Sequence, residues 1–270
     1  MSILKFPCSA VAILVLCASA FAQTAEAPST LSPRSDLQEL FSAARLNGFV
    51  LDLEAALARA QARHGVIPAA AAAAITRAAV PENLPHAEWE QERARVRHRM
   101  VALLNVLRRS LDADSAEYLH YGATTVDLYD SARMLQVRAA IEALIDDLEV
   151  IERQLIALAR QHRDTVMIGR TLGQHALPIT FGKKISGYIG ENRRHIDRLH
   201  DLSRRVERSI IMKGAVGSYL GLGPEGRRVE ASMADELGLP PPYPDDWHAS
   251  RDVFAEYALV LSMIARTYGR

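Results

Sequence analysis

The chain has 270 residues, 49% of them apolar, with 32 basic and 32 acidic side chains and 6% aromatics. That is enough apolar content for a sizeable core in one or two globular domains. Zero formal net charge argues against nucleic acid as the main partner, because phosphate binding wants a net basic face.

In chain order, the first 22 residues carry one lysine, an apolar run from Ala10 to Leu16 and the small-residue ending Ala20-Phe21-Ala22. This pattern reads as a secretory signal cleaved after Ala22, which predicts a periplasmic or secreted protein. The competing reading is a misplaced start codon on a cytoplasmic protein. The run is too short to span a bilayer, so no stable membrane anchoring is expected. Both cysteines, Cys8 and Cys17, lie in this segment. The mature chain would then have no disulfide, thiolate metal site or cysteine nucleophile.

A Pro/Ser linker covers 23–34, and Ser35 with Gln38 fits an N-terminal capping box. Leu37, Leu40, Phe41, Ala44, Phe49, Leu53, Leu57 and Ala60 then mark a helical stripe that stops near Gly65. A short alanine-rich helix follows between Pro68 and Pro81. Val96, Met100, Leu103, Leu104 and Leu107 mark a third helix from about His86, and Asp112 to Tyr121 reads as loop. No Gly or Pro occurs between Gly122 and Gly169. A helix from about Asp127 to Arg163 would be on the order of 55 Å long. A second long helix has positions 185, 189, 192, 196, 199, 203, 206 and 210 as a bundle seam, apolar except for Asn192 and Ser203. The final stretch from Asp252 begins another core helix, and the bundle looks unfinished. The division expected is 35–121 for an N-terminal helical domain and 122–270 for an incomplete central long-helix bundle.

Four stretches could carry chemistry. "HYGATTVD" puts Thr124 and Thr125 at the start of the long helix, where hydroxyls and free N–H groups suit a carboxylate. Thr124-x-x-Asp127 is also a capping box, and that reading stands beside the first. "RVRHRM" sets Arg97 and His98 on a helix, either as a solvated basic face or beside a cleft near His120. "GRTLGQHALP" holds Thr171, Gln174 and His175 on a loop between two rigid helices. "DDWHASRD" supplies His248 and Arg251, the latter able to clamp a carboxylate bidentately. It lacks metal-ligand spacing, and no phosphate loop or dinucleotide fingerprint occurs, so neither a metal nor a cofactor is expected.

Taken in order, "RVRH", "YLHYGATTVD", "TVMIGRT-x-x-QHA-x-P-x-TFGKK", "KGAVGSY" and "SRDVFAEY" resemble the fumarase/aspartase superfamily. The branch is that of adenylosuccinate lyase and 3-carboxy-cis,cis-muconate cycloisomerase. The resemblance covers roughly Ser32 to the end, as the N-terminal portion of such a protein. It implies an all-α fold, a small N-terminal helical domain plus a long-helix bundle, C-terminally truncated, and a homotetramer if full length. It implies an enzyme, a lyase or cycloisomerase acting on a small polycarboxylate by removing a proton next to a carboxylate, with β-elimination or its reverse. Position by position, it implies His175 and His120 as catalytic. Thr124 and Thr125 would hold substrate carboxylate, with Arg97, His98, Thr171, Gln174, His248 and Arg251 as further binding residues.

Two departures matter. Leu172 stands where adenylosuccinate lyases resembling "GRTH" carry a proton-transferring histidine, and leucine cannot move a proton. The family's serine base loop, which reads like Ser-Ser-x-Met-Pro-x-Lys-x-Asn-Pro, does not occur in these 270 residues. A non-catalytic remnant that binds carboxylate or serves as an assembly module is therefore the alternative.

Overall fold

A computed structural model describes residues 35–244 and 249–269. The signal and linker readings, both cysteines and His248 lie outside the described residues. Those described form helices α1 (Ser35–Leu40), α2 (Ala43–Arg63), α3 (Ala69–Ala78), α4 (His86–Val96), α5 (Arg99–Arg108) and α6 (Ala113–Ala116). The long helix α7 (Thr125–Gln161) leads to strands β1 (Val166–Thr171) and β2 (Gln174–Thr180). Helices α8 (Phe181–Glu207), α9 (Gly226–Glu236) and α10 (Asp252–Tyr268) complete the set. The architecture is all-α apart from one two-stranded antiparallel ribbon among the described residues.

Two compact units share the chain: Ile141–Leu202 with Phe254–Arg270, and Asp36–Ala140 with Ser203–Val253. In the second, α2 packs on α3 and α9, and α4 packs on α5. Its core is mostly aliphatic, with Val50, Leu53, Leu57, Ile75, Leu103 and Leu107 at most 1% exposed. The expected stripe over Leu37–Ala60 is split: Ser42 interrupts it and caps α2, its Oγ accepting from Arg45 N at 3.1 Å. The helix expected from His86 is also two helices. Arg97 turns left-handed at φ 55° and ends α4. His98 returns to extended backbone, and its Nδ1 accepts from Val101 N at 3.2 Å to start α5. Arg97 and His98 thus sit at a helix junction rather than on a helix. The Asp112–Tyr121 loop contains the short α6, whose N-terminal Asp112 accepts from Ser115 N.

The long helices are present. At 37 residues, α7 is about 55 Å long. The seam on α8 is buried at Ile185, Asn192, Ile196 and Leu199. Its polar member has partners: Asn192 Nδ2 donates to Leu148 O at 2.8 Å, and the Tyr268 hydroxyl donates to Asn192 Oδ1. His195 Nε2 meets Thr267 Oγ1 at 2.8 Å, so α10 is keyed to α8 by hydrogen bonds, and Val260 and Ile264 are the buried apolar residues of α10. Buried polar groups that are fully paired set a register without an unsatisfied cost.

The loop read at 169–180 is the main correction to the sequence reading. It is a hairpin, with Thr171 opposite Gln174 and Arg170 opposite His175. Leu172 (φ 49°) and Gly173 (φ 76°) form its two-residue turn. Two successive positive φ values match the right-handed twist of a hairpin.

Candidate active site

The chemistry-bearing residues of the second unit gather where the 119–124 loop enters α7. His120 itself takes φ 64°, unusual for a residue with a side chain. Its Nδ1 lies 2.6 Å from Glu54 Oε1 on α2, and the Glu54 side chain is 1% exposed. Burial works against the imidazolium, but Glu54 and then Asp127 outweigh it, with Arg108 opposing, and His120 titrates above its ordinary range. Two turns further along α2, Gln61 Nε2 donates to Tyr121 O at 2.6 Å and ties the same loop down.

The capping box at the α7 start is present in its acidic half. Asp127 Oδ2 accepts from Thr124 N at 3.1 Å. The same buried carboxylate also receives Gly214 N at 2.8 Å and Lys213 N at 3.3 Å from the "KGAVGSY" segment. Burial raises the Asp127 pKa against these three donors. Thr124 and Thr125 are half-buried, and neither hydroxyl is engaged among the described residues. The N–H groups of the first turn have no intrahelical acceptor and carry the positive end of a very long helix dipole.

"KGAVGSY" is anchored from beneath. Lys213 Nζ is almost fully buried and donates to both Glu230 oxygens, at 2.7 and 2.8 Å, and to Tyr219 Oη at 3.0 Å. The Tyr219 hydroxyl donates to Glu230 Oε2 at 2.6 Å. Burial, then Glu230, pushes the Tyr219 phenol up. The returning chain touches the 119–124 loop where two glycines meet. A Cβ on Gly221 would lie 2.8 Å from Gly122 Cα, and one on Gly122 would lie 2.6 Å from the Leu222 side chain. Only glycines allow this approach, and Gly122 also needs its φ of 71°.

The remaining sequence candidates are dispersed. Arg97 and His98 are exposed at the α4–α5 junction, with His98 Nδ1 committed to its cap. Arg251 pairs with Asp130 Oδ2 at 2.7 Å, and Asp130 also receives Arg133 at 2.9 Å. Thr171, Gln174 and His175 belong to the other unit and are fully on the surface of the hairpin. Strand alternation puts Thr171 and Gln174 on one face of the ribbon and His175 with Arg170 on the opposite one. His248 is outside the described residues. Sequence reasoning missed Glu54, Gln61 and the Lys213–Glu230–Tyr219 cluster. A signal existed for the first two: they stand seven residues apart on the apolar stripe of α2, where Val50, Leu53 and Leu57 also fall.

Among known proteins, N-acetyl-S-(2-succino)cysteine lyase of Enterococcus italicus is 39% identical over 220 residues, covering 82% of this chain and 48% of that protein. Adenylosuccinate lyase of Methanothermobacter thermautotrophicus is 39% identical over 218 residues, 81% of this chain and 48% of that one. The 3-carboxy-cis,cis-muconate cycloisomerase of Pseudomonas aeruginosa is 39% identical over 231 residues, 84% and 49% of the two chains. The crystal structure of a fumarate lyase from Mesorhizobium sp. BNC1 superposes with a TM-score of 0.80 at 38% identity, over 86% of this chain and 54% of that one. The chain therefore spans about half the length of the curated relatives it matches. With the family described as Lyase matching residues 30–269, nearly the whole of it, this chain belongs to that lyase family of the fumarase/aspartase superfamily.

Proposed function

We propose that this chain supplies the carboxylate-holding part of a lyase or cycloisomerase that acts on a small polycarboxylate. The carrying observation is the α7 N-terminus: two unengaged threonine hydroxyls and a first turn of free N–H groups, beside an imidazole held toward its charged form. Those groups favour a carboxylate, and favour it more as it gains charge in an aci-carboxylate intermediate. The names of the relatives support the substrate class, because adenylosuccinate, succinocysteine and carboxymuconate are all polycarboxylates. They differ in what leaves or closes: a nitrogen, a sulfur or a carboxylate oxygen. Leu172, fully exposed at the hairpin tip, offers no proton to any of these. In this reading His175 and His120 are the catalytic candidates. Thr171 and Gln174 would border the leaving group, and Arg97, His98, His248 and Arg251 would bind outlying carboxylates. The full-length assembly would be a homotetramer, and the protein is exported if residues 1–22 act as a signal.

Calorimetric titration of fumarate into the chain tests the carboxylate site. Thr125→Ala removes one hydroxyl and should weaken binding about fivefold, or about 1 kcal/mol for one lost hydrogen bond. An unchanged affinity would remove Thr125 from the site.

A further inference from the structure

Glu54 is the least expected group in the second unit. Its carboxylate is 1% exposed and lies on the aliphatic face of α2, where an acid without a partner would be costly. Its partner is the His120 imidazole, reached at 2.6 Å through Nδ1 across 66 residues of chain. His120 meets it from a left-handed backbone position (φ 64°), and Gln61 fixes the next carbonyl from the same face of α2. Strain of this kind persists where surrounding contacts over-determine the conformation, and here two buried side chains of one helix do so. With Nδ1 occupied, Nε2 is the remaining polar atom of the ring. It is unengaged among the described residues, on a side chain 13% exposed.

Resting on the carboxylate reading above, we propose that Glu54 is a positioning residue that acts through His120, committing Nδ1 so that Nε2–H is presented to an anionic ligand at the α7 N-terminus. The charged groups facing His120 are Glu54 from α2, Asp127 from α7 and Arg108 from the last turn of α5. Burial and Arg108 oppose the charge, Glu54 and Asp127 favour it more, and a charged ring offers a proton donor at both nitrogens. Once the ring loses its proton, Nδ1–H stays with Glu54 and Nε2 becomes an acceptor that repels a carboxylate. Ligand binding is thus tied to the His120 titration, and Glu54 sets where that titration falls.

The test uses ring-¹⁵N NMR of His120 and calorimetry with fumarate as probe, across pH 5.5 to 9, on wild type and Glu54→Gln. In wild type the neutral ring should be the Nδ1–H tautomer, and fumarate affinity should fall as pH rises through the His120 midpoint. Glu54→Gln should move that midpoint down and carry the pH dependence of binding down with it. Near neutral pH it should weaken fumarate about fivefold or more, while circular dichroism stays unchanged. A neutral ring in the Nε2–H form in wild type would overturn the proposal without any variant being needed. So would a Glu54→Gln protein whose His120 titration is unmoved, or moved with no change in fumarate binding. If wild type binds no fumarate at any pH, the carboxylate reading fails, and with it the ligand half of this proposal. The tautomer and midpoint would still decide whether Glu54 positions His120.

Discussion

Asp127, His120 and Glu54 are three buried or near-buried ionisable groups, and each has a stated partner, so their pH behaviour follows from geometry. Because the folded-state pKa of His120 is raised above its ordinary value, the pair with Glu54 contributes stability that is fully present below about pH 6.5. That contribution is lost as pH rises through the folded value. His195, whose pKa is lowered by burial and then by Arg198, acts with the opposite sign and costs stability as pH falls. The two are separated by difference: the stability gap between wild type and Glu54→Gln, from urea unfolding, should narrow as pH rises above neutrality. A gap that widened would show that Glu54 is stabilised by something other than a charged His120. At this scale the sequence was half legible. The motif around Thr124 and Asp127 carried its capping role in its spacing. The reach of Asp127 to Lys213 N and Gly214 N depends on folding that brings residues over eighty positions apart together.

Among the elements, the hairpin is the one whose local chemistry is most at odds with its shape. A two-residue turn with both φ values positive favours Asn or Gly at its first position, and here that position holds Leu172, fully exposed. A left-handed conformation costs an L-residue roughly 1–2 kcal/mol, less for Asn, whose short side chain bonds locally. Leu172→Asn should therefore slow amide hydrogen exchange at Gln174 about fivefold, and unchanged exchange would mean the turn is not strained. The long helices were read correctly because 37 residues without Gly or Pro, and a seam stepping by three and four, leave little else to form. The ribbon was read as loop because its glycines, proline and exposed faces give no alternating apolar pattern, and its pairing is purely local backbone hydrogen bonding. The break between α4 and α5 was missed for a related reason. The apolar spacing runs through it unbroken, and only the left-handed Arg97 and the cap made by His98 end one helix and begin the next.

For the whole molecule, the family and the all-α architecture follow from 39% identity to lyases and a cycloisomerase and from a TM-score of 0.80 to a fumarate lyase. The chain matches about half of each curated relative, and its candidate residues fall in two separate compact units. The anion site proposed for this chain lies within one unit, at the α7 start where Asp127 accepts from Thr124 N, next to the loop that carries the His120–Glu54 pair. The most direct test of that claim is a fumarate titration of the ¹⁵N-labelled chain near pH 6.5, followed at the backbone amides of Thr125 and Val126. The account predicts saturable shifts at those two amides and at His120, larger than at any amide of α3 or α9. Shifts scattered over the surface, or none at the start of α7 at millimolar fumarate, would contradict it.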